Sequence, residues 1–255
     1  MKPDDRQRQI LNRLRAMQRE WRVDEIAAAL GVSPLTVLRD LDRLVADGAV
    51  LRTHGGCLYS GRMALETDYH ARVAGNFALK QAIGAAAADE VKPGDTILLS
   101  DGSTCFHLAA HLGPCGSITV YTNSIAMIAE VHGFPRIRLY VLGGEYHRDQ
   151  FLLGGSLLER NVEMLDVDTV FVGADRIDEA GRCLVENEDV ARTAQIMLRR
   201  GKRAILLADH TKTEGAGHVA YGSLNDIDLW ITSKGLPTRL KQKLAKMTTI
   251  KEARP

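Results

Sequence analysis

A chain of 255 residues, 45% apolar and 25% charged, holds enough material for one small and one larger folded domain. Its formal net charge of +1 gives no global reason to bind nucleic acid or a membrane, and no stretch approaches the ~20 apolar residues of a membrane-spanning helix. The opening MKPDDRQRQ lacks the apolar centre of a signal peptide, and Cys57, Cys105, Cys115 and Cys183 are scattered with no ligand-spaced pair. These features predict a cytoplasmic protein with reduced thiols, no bound metal, no cofactor and no membrane partner. The charge is unevenly spread: residues 1–62 hold eleven Lys/Arg against eight Asp/Glu, whereas the remainder holds twenty-two against twenty-four.

Three helical patterns open the chain. In the first, Ile10, Leu14, Met17 and Trp21 recur at helical spacing, with Arg6, Arg13, Arg15 and Arg19 spread around them. In the second, VDEIAAALG, Val23, Ile26, Ala27 and Leu30 form a small apolar face that Gly31 stops. The third starts at Ser33-Pro34, an N-cap followed by proline at the first helical position; it turns Val37, Leu41, Leu44 and Val45 inward and ends at Gly48. Two short helices joined by Gly-Val-Ser have the geometry of a helix-turn-helix, whose second helix enters the DNA major groove. The stripe opposite the apolar face carries Thr36, Arg39 and Arg43, placed to reach base edges or phosphates. AVLRTHGGCLY then alternates apolar and polar residues around Gly55-Gly56, which predicts a two-stranded wing with Arg52 and His54 at its tip. A helical hairpin with a solvated charged face explains part of this pattern. Three helices, the Ser-Pro start and the wing together favour binding to double-stranded DNA, with Ser33, Thr36, Arg39, Arg43, Arg52 and His54 as candidate contacts.

These residues resemble the N-terminal winged helix of the DeoR family of bacterial transcription regulators. That family combines a Val-Ser pair, a Thr-Ile-Arg-Arg-Asp-Leu recognition helix and Arg-x-His-Gly-Gly in the wing. The match runs through Val32-Ser33, Thr36, Arg39-Asp40-Leu41, Arg52 and His54-Gly55-Gly56. Leu38 departs from it, standing where the family usually has the first of two arginines. The resemblance therefore implies one DNA contact fewer and an altered operator preference.

The predicted winged domain covers 1–59. Residues 60–79 mix glycine, charge and single apolar residues without a sustained period, which predicts a linker that enters a helix. The larger domain spans 80–255, opening with the alanine-rich helix KQAIGAAAADEV and a Pro-Gly turn. Apolar, partly β-branched runs follow at 96–100, 118–122, 137–142, 169–173, 203–208 and 227–232. Helical patterns such as CFHLAAHL, SIAMIAEVH and VARTAQIMLRRG separate most of them. Strands that are apolar throughout, alternating with helical crossovers, predict an α/β domain with a parallel sheet covered on both faces.

The residues after each run carry the chemistry. They are Asp101-Gly102-Ser103-Thr104, Thr122-Asn123-Ser124, Gly143-Gly144-Glu145, Gly173-Ala174-Asp175, Asp209-His210-Thr211-Lys212 and Thr232-Ser233-Lys234. Ligands of open parallel sheets bind beyond the carboxyl ends of the strands. Each such loop alone is explained by turn conformation; several on one sheet edge predict a ligand site. Backbone N–H groups with Ser/Thr hydroxyls suit an anionic oxygen cluster, and Lys212 adds a counter-charge. Asp101, Asn123, Glu145 and Asp175 suit the hydroxyls of a polyol. The predicted effector contacts are thus Asp101, Gly102, Ser103, Thr104, Thr122, Asn123, Ser124, Gly143, Gly144, Glu145, Asp175 and Lys212. His107 and His111 have zinc-ligand spacing, but no third ligand is evident, and the pair reads as ordinary histidines on an amphipathic helix. Cys105 reads as a small buried residue rather than a reactive thiol.

This half resembles the sensor domain of the same regulators, a fold related to ribose-5-phosphate isomerase and glucosamine-phosphate deaminase. The resemblance rests on Lys80, Gly102-Ser103-Thr104, Thr122-Asn123-Ser124, Gly143-Gly144, Gly154, Asp209-His210 with Lys212, and DIDLWIT. It implies a phosphorylated-sugar effector. The order Ser100-Asp101-Gly102 departs from the family's Asp-Ser-Gly, and GADRID is similar to an isomerase segment, which keeps an enzyme with an appended DNA-binding domain as the alternative. The isomerase's first Asp is replaced here by Val172 or Gly173, and Glu186 and Glu188 lack its glycine-rich Glu-Lys setting. The expectation is therefore a non-enzymatic regulator, a repressor of a carbohydrate-metabolism operon. It would assemble as a homodimer or homotetramer, with residues 60–79 transmitting the signal. A larger domain that only oligomerises is a third reading.

Overall fold

Helical spacing in the first sixty residues builds a small three-helix core. The computed structural model describes residues 3–17, 20–46, 50–53, 55–59 and 67–254. The expected helix stop at Gly48, the wing residue His54 and residues 60–66 of the expected linker lie outside the described residues. By its internal contacts the chain divides into two units, residues 1–77 and 78–255.

The first unit runs α1 (Pro3–Met17), β1 (Trp21–Arg22), α2 (Val23–Leu30), α3 (Pro34–Ala46), β2 (Val50–Arg52), β3 (Gly56–Tyr59) and α4 (Thr67–Ala74). Ile10, Leu14, Ile26, Val37, Leu41 and Leu44 bury a common core, roofed by an antiparallel sheet in the order β1-β3-β2. Three sequence expectations change here. Trp21 does not extend the first helix: it is extended, pairs with Cys57 and buries its indole in the core, with the Arg13 guanidinium 5.7 Å from the ring centroid. Val45 is 37% exposed, because it lies about a quarter-turn around α3 from the Val37–Leu41–Leu44 stripe. The space on the other flank of that stripe is taken by Asp40, which is buried against Arg6 of α1. Arg6 is therefore a core residue. The fourth helix occupies part of the expected linker.

Gly31 ends α2 at φ +63°, in the left-handed region, and donates its N–H to the Ala27 carbonyl. Ser33 caps α3: its Oγ accepts from the Thr36 N–H at 3.2 Å and lies 2.9 Å from the Thr36 hydroxyl.

The second unit begins in α5 (Phe77–Ala88) and continues through β4 (Thr96–Leu99), α6 (Ser103–Ala109), β5 (Ile118–Thr122), α7 (Ala126–Val131), β6 (Ile137–Val141), β7 (Glu145–His147), β8 (Leu152–Gly154) and α8 (Gly155–Glu163). There follow β9 (Val167–Val172), β10 (Arg176–Ile177), β11 (Arg182–Val185), α9 (Glu188–Leu198), β12 (Gly201–Leu207), β13 (Val219–Ser223), β14 (Leu229–Ser233), α10 (Thr238–Leu244) and β15 (Thr249–Ala253). Seven strands form one parallel sheet in the order β15-β14-β12-β9-β4-β5-β6. Alternate residues of each central strand feed opposite cores. Ile97, Leu99 and Phe171 pack with α5, α6 and α7; Leu98, Val170 and Val172 pack with α8, α9 and α10. Burial on both faces explains why the central runs are apolar throughout. All six expected strands are present in this sheet. The edge strand β15, the β7–β8 hairpin and the antiparallel β10-β11-β13 sheet are additions that the sequence pattern did not indicate.

Gly84 on α5 sits where α5 meets α6. A Cβ there would fall 2.7 Å from the His107 carbonyl oxygen and 2.8 Å from the Leu108 nitrogen, both backbone atoms. Gly84→Ala should therefore destabilise the larger domain by about 1–3 kcal/mol despite alanine's better helix propensity. Its melting temperature, measured against wild type, tests this; an unchanged or higher value would show that the two helices can separate freely.

Candidate functional site

On the first unit the exposed side of α3 is the candidate nucleic-acid face. Its cap and its buried stripe set the helix rotation and leave Arg39 and Arg43 exposed and Thr36 half-buried. Ser33 holds the helix start through its hydroxyl. Leu35, in the first turn, is 59% exposed, an apolar residue on this face that charge-based reading of the sequence passes over. Leu38 is half-buried. Arg52 lies within β2 rather than at the wing tip, with its Nη2 3.5 Å from the exposed carboxylate of Asp42 on α3.

On the second unit the sheet dictates where a ligand can sit. From β4 the chain adds β5 and β6 on one side, then crosses back to place β9 on the other. The topological switch point falls between β4 and β9, and open parallel sheets bind ligands beyond the carboxyl ends of the strands at such a point. Gly102 and Gly173 face each other there, a Cβ built on Gly102 lying 3.7 Å from the Gly173 Cα. The Tyr221 hydroxyl donates to the Gly173 carbonyl at 2.6 Å, which holds that strand end in place. Burial pushes the nearby Cys105 thiol up to about 12, so it stays protonated and reads as packing.

Around this point the sequence-predicted residues separate into two groups. Some spend their polar atoms on the scaffold. Thr122 Oγ1 accepts from the Ser124 N–H at 3.1 Å, Asp175 Oδ2 accepts from the Glu186 N–H at 3.2 Å, and the Gly143 carbonyl accepts from Asn161 at 3.2 Å. Gly144 lies so close to β8 that a Cβ would fall 2.4 Å from the Gly154 carbonyl oxygen. Glu145 is exposed and opens β7. The others present unspent groups. Asn123 donates to Asp101 Oδ1 at 3.3 Å and to the Leu153 carbonyl at 3.1 Å, while its own Oδ1 is buried without a partner. The Ser124 hydroxyl is likewise buried and unpaired. Ser103 and Thr104 begin α6 beside Gly102, Thr104 buried and Ser103 half-buried. Lys212 stands in a turn after β12, and its ammonium makes no ion pair among the described residues.

Several residues outside the predicted set share this edge. Asp209 binds the Thr211 N–H through Oδ1 at 3.0 Å, and its Oδ2 is buried unpaired, as is the Thr232 hydroxyl. Asp101 and Asn123 also line a narrow crevice with His147 of β7 and with Asp189 and Thr193 of α9. His147, Asp189 and Thr193 follow no predicted strand, so only the folded hairpin and helix reveal them. Among the described residues no His/Cys/Asp/Glu cluster suits a metal ion. His107 is buried with its Nδ1 3.0 Å from Gln81, and His111 hydrogen-bonds the His107 carbonyl. No helix of the described residues is long and apolar enough to cross a membrane.

Residues 6–61 match the DeoR-like helix-turn-helix domain, and residues 76–234 match the DeoR C terminal sensor domain. The transcriptional repressor GlcR of Bacillus subtilis is 32% identical over 212 residues, covering 83% of this chain and 81% of its own. The L-fucose operon activator of Escherichia coli K12 is 29% identical over 206 residues, covering 80% and 84%. Among solved structures, ribose 5-phosphate isomerase A from Neisseria gonorrhoeae aligns with 61% of this chain and 54% of its own, at 14% identity and a TM-score of 0.39. The full-length relatives are regulators, and the alternative of a sugar-phosphate enzyme with an added basic domain gives way to that finding. The chain belongs to the DeoR family: it is a DNA-binding transcription regulator that joins a helix-turn-helix domain to the family's C-terminal sensor domain.

Proposed function

We propose that this regulator represses an operon of carbohydrate metabolism in the cytoplasm and that a phosphorylated sugar, bound at the carboxyl edge of the parallel sheet, changes its operator affinity. In this reading α3 lies in the major groove. Arg39 and Arg43 meet guanine edges or phosphates, Thr36 a phosphate or base, and exposed Leu35 a thymine methyl group. Arg52 and His54 serve the wing. Ser103, Thr104 and Lys212 take the phosphate, while Asp101 and Asn123 take hydroxyls. The relatives support control of sugar operons: one is named a repressor and one an activator of the L-fucose operon.

One observation carries the effector reading. Four polar atoms, on Asn123, Ser124, Asp209 and Thr232, are buried without partners, and all lie at the carboxyl ends of β5, β12 and β14. Leaving a buried polar group unpaired costs about 1–3 kcal/mol, so a cluster at one edge points to a ligand that completes them. Coupling requires that ligand to favour one conformation of the regulator over another. Homo-oligomers, dimeric or tetrameric, suit paired operator half-sites. The edge strand β6, with exposed Tyr140 and Val141, offers apolar surface for that assembly.

The test is a thermal-shift screen of sugar phosphates, followed by gel-shift assays on DNA flanking the gene. A hit should raise the melting temperature and alter operator affinity. Thr104→Val should weaken that compound about tenfold or more, since it removes a hydroxyl donor to a charged group, and leave operator binding in its absence unchanged. A normal response in Thr104→Val would move the phosphate elsewhere, and absence of any hit would remove the effector reading.

A further inference from the structure

We propose that His147 and Asp189, together with Asn123, form the specificity-determining end of the sensor pocket, which accepts the donor-rich, uncharged or amine-bearing end of a phosphorylated sugar and rejects an anionic one. The proposal rests on the effector reading above and concerns the end of the ligand remote from its phosphate.

Asn123, 1% exposed, has both amide hydrogens committed to Asp101 and to the Leu153 carbonyl. Its buried Oδ1 can therefore only accept. His147 Nε2 is buried and unpaired on the same crevice. The imidazole is pinned against Gly154, where a Cβ would lie 2.7 Å from Nε2. Asp189 closes the crevice from the first turn of α9. Its N–H is spent on the Asn187 side chain at 2.8 Å, whereas its carboxylate has no partner among the described residues. The Asp189 carboxylate and the Asn123 amide oxygen thus face a narrow crevice whose lining, among the described residues, holds no Lys or Arg. Such a lining attracts hydroxyl or ammonium hydrogens and repels a carboxylate or a second phosphate. Lys212, which the effector reading assigns to the phosphate, is not part of this lining, so on that reading the two ends of the ligand meet opposite electrostatics.

The experiment is titration of the full-length protein with ribose 5-phosphate, glucose 6-phosphate, glucosamine 6-phosphate, 6-phosphogluconate and inorganic phosphate. Wild type should bind at least one of the three non-acidic sugars tenfold or more tighter than 6-phosphogluconate. Asp189→Asn and His147→Gln should each shrink that ratio at least threefold while leaving inorganic phosphate and operator binding unchanged. Asp189 is exposed at a helix start, so its variant is expected to fold normally even if that of the half-buried His147 does not. A ratio unchanged in Asp189→Asn, or a wild-type protein that prefers 6-phosphogluconate or does not discriminate, would overturn the inference and leave the effector reading standing. Failure of wild type to bind any of the five would overturn both.

Discussion

Asp40→Ala should destabilise the DNA-binding domain by about 3–5 kcal/mol and abolish operator binding, with the sensor domain's melting transition unmoved. The size follows from burial. Arg6 and Asp40 are respectively 8% and 3% exposed, their side chains meet through two hydrogen bonds, and Gln7 adds a third to the carboxylate at 3.1 Å. Removing the carboxylate takes from the buried Arg6 guanidinium the charge and the hydrogen bonds that Asp40 supplies. A domain of this size has a total stability of only about 5–15 kcal/mol, so the loss consumes a large share of it. Calorimetry resolves the two domains, and gel shifts report DNA affinity. The double replacement Arg6→Met with Asp40→Leu should regain most of the stability, since a well-packed apolar pair can equal a buried ion pair. A first transition unchanged in Asp40→Ala would show that the pair contributes nothing to holding α1 against α3.

Arg39→Ala should lower operator affinity about ten- to a hundredfold, corresponding to the 1–3 kcal/mol of a base or charged phosphate contact. Arg39 is exposed and makes no ion pair among the described residues, so its removal disturbs no packing, and melting and effector binding should stay as in wild type. Gel shifts at several salt concentrations separate the two possible roles. A phosphate contact lowers the slope of affinity against salt by about one for all sequences; a base contact relaxes discrimination at one operator position. Unchanged affinity would take Arg39 off the reading face. The neighbouring Leu38, where the family resemblance expects arginine, leaves Arg39 as the arginine of that pair and increases the weight of this result.

Patterns with a local cause are legible in the sequence. The apolar stripes of α2 and α3, the Ser33-Pro34 start, the Gly31 stop and the six main strands are readable because helix and strand periods leave their mark on neighbouring residues. The strand-end loops were legible for the same reason, since apolar runs end abruptly in Gly, Ser, Thr and Asn. Short elements escaped. The edge strand β15, TIKEA, has one well-buried residue and two charged ones, and the β7–β8 strands have three residues each, too few to display a period.

By itself the sequence determined the helix-turn-helix domain followed by an α/β domain, the apolar stripe of α3 that leaves Arg39 and Arg43 exposed, the parallel sheet and the edge where its Gly-, Ser- and Thr-rich loops gather, because each is written in residues adjacent along the chain. Only the tertiary structure decided that Arg6 is a core partner of Asp40 and that Thr122 and Asp175 serve the scaffold. It also decided that His147, Asp189 and Asn123 meet in one crevice. Those outcomes depend on which buried polar atom finds a partner across dozens of residues. A polar side chain's neighbours in sequence do not reveal whether its hydrogen bonds will be made or left open.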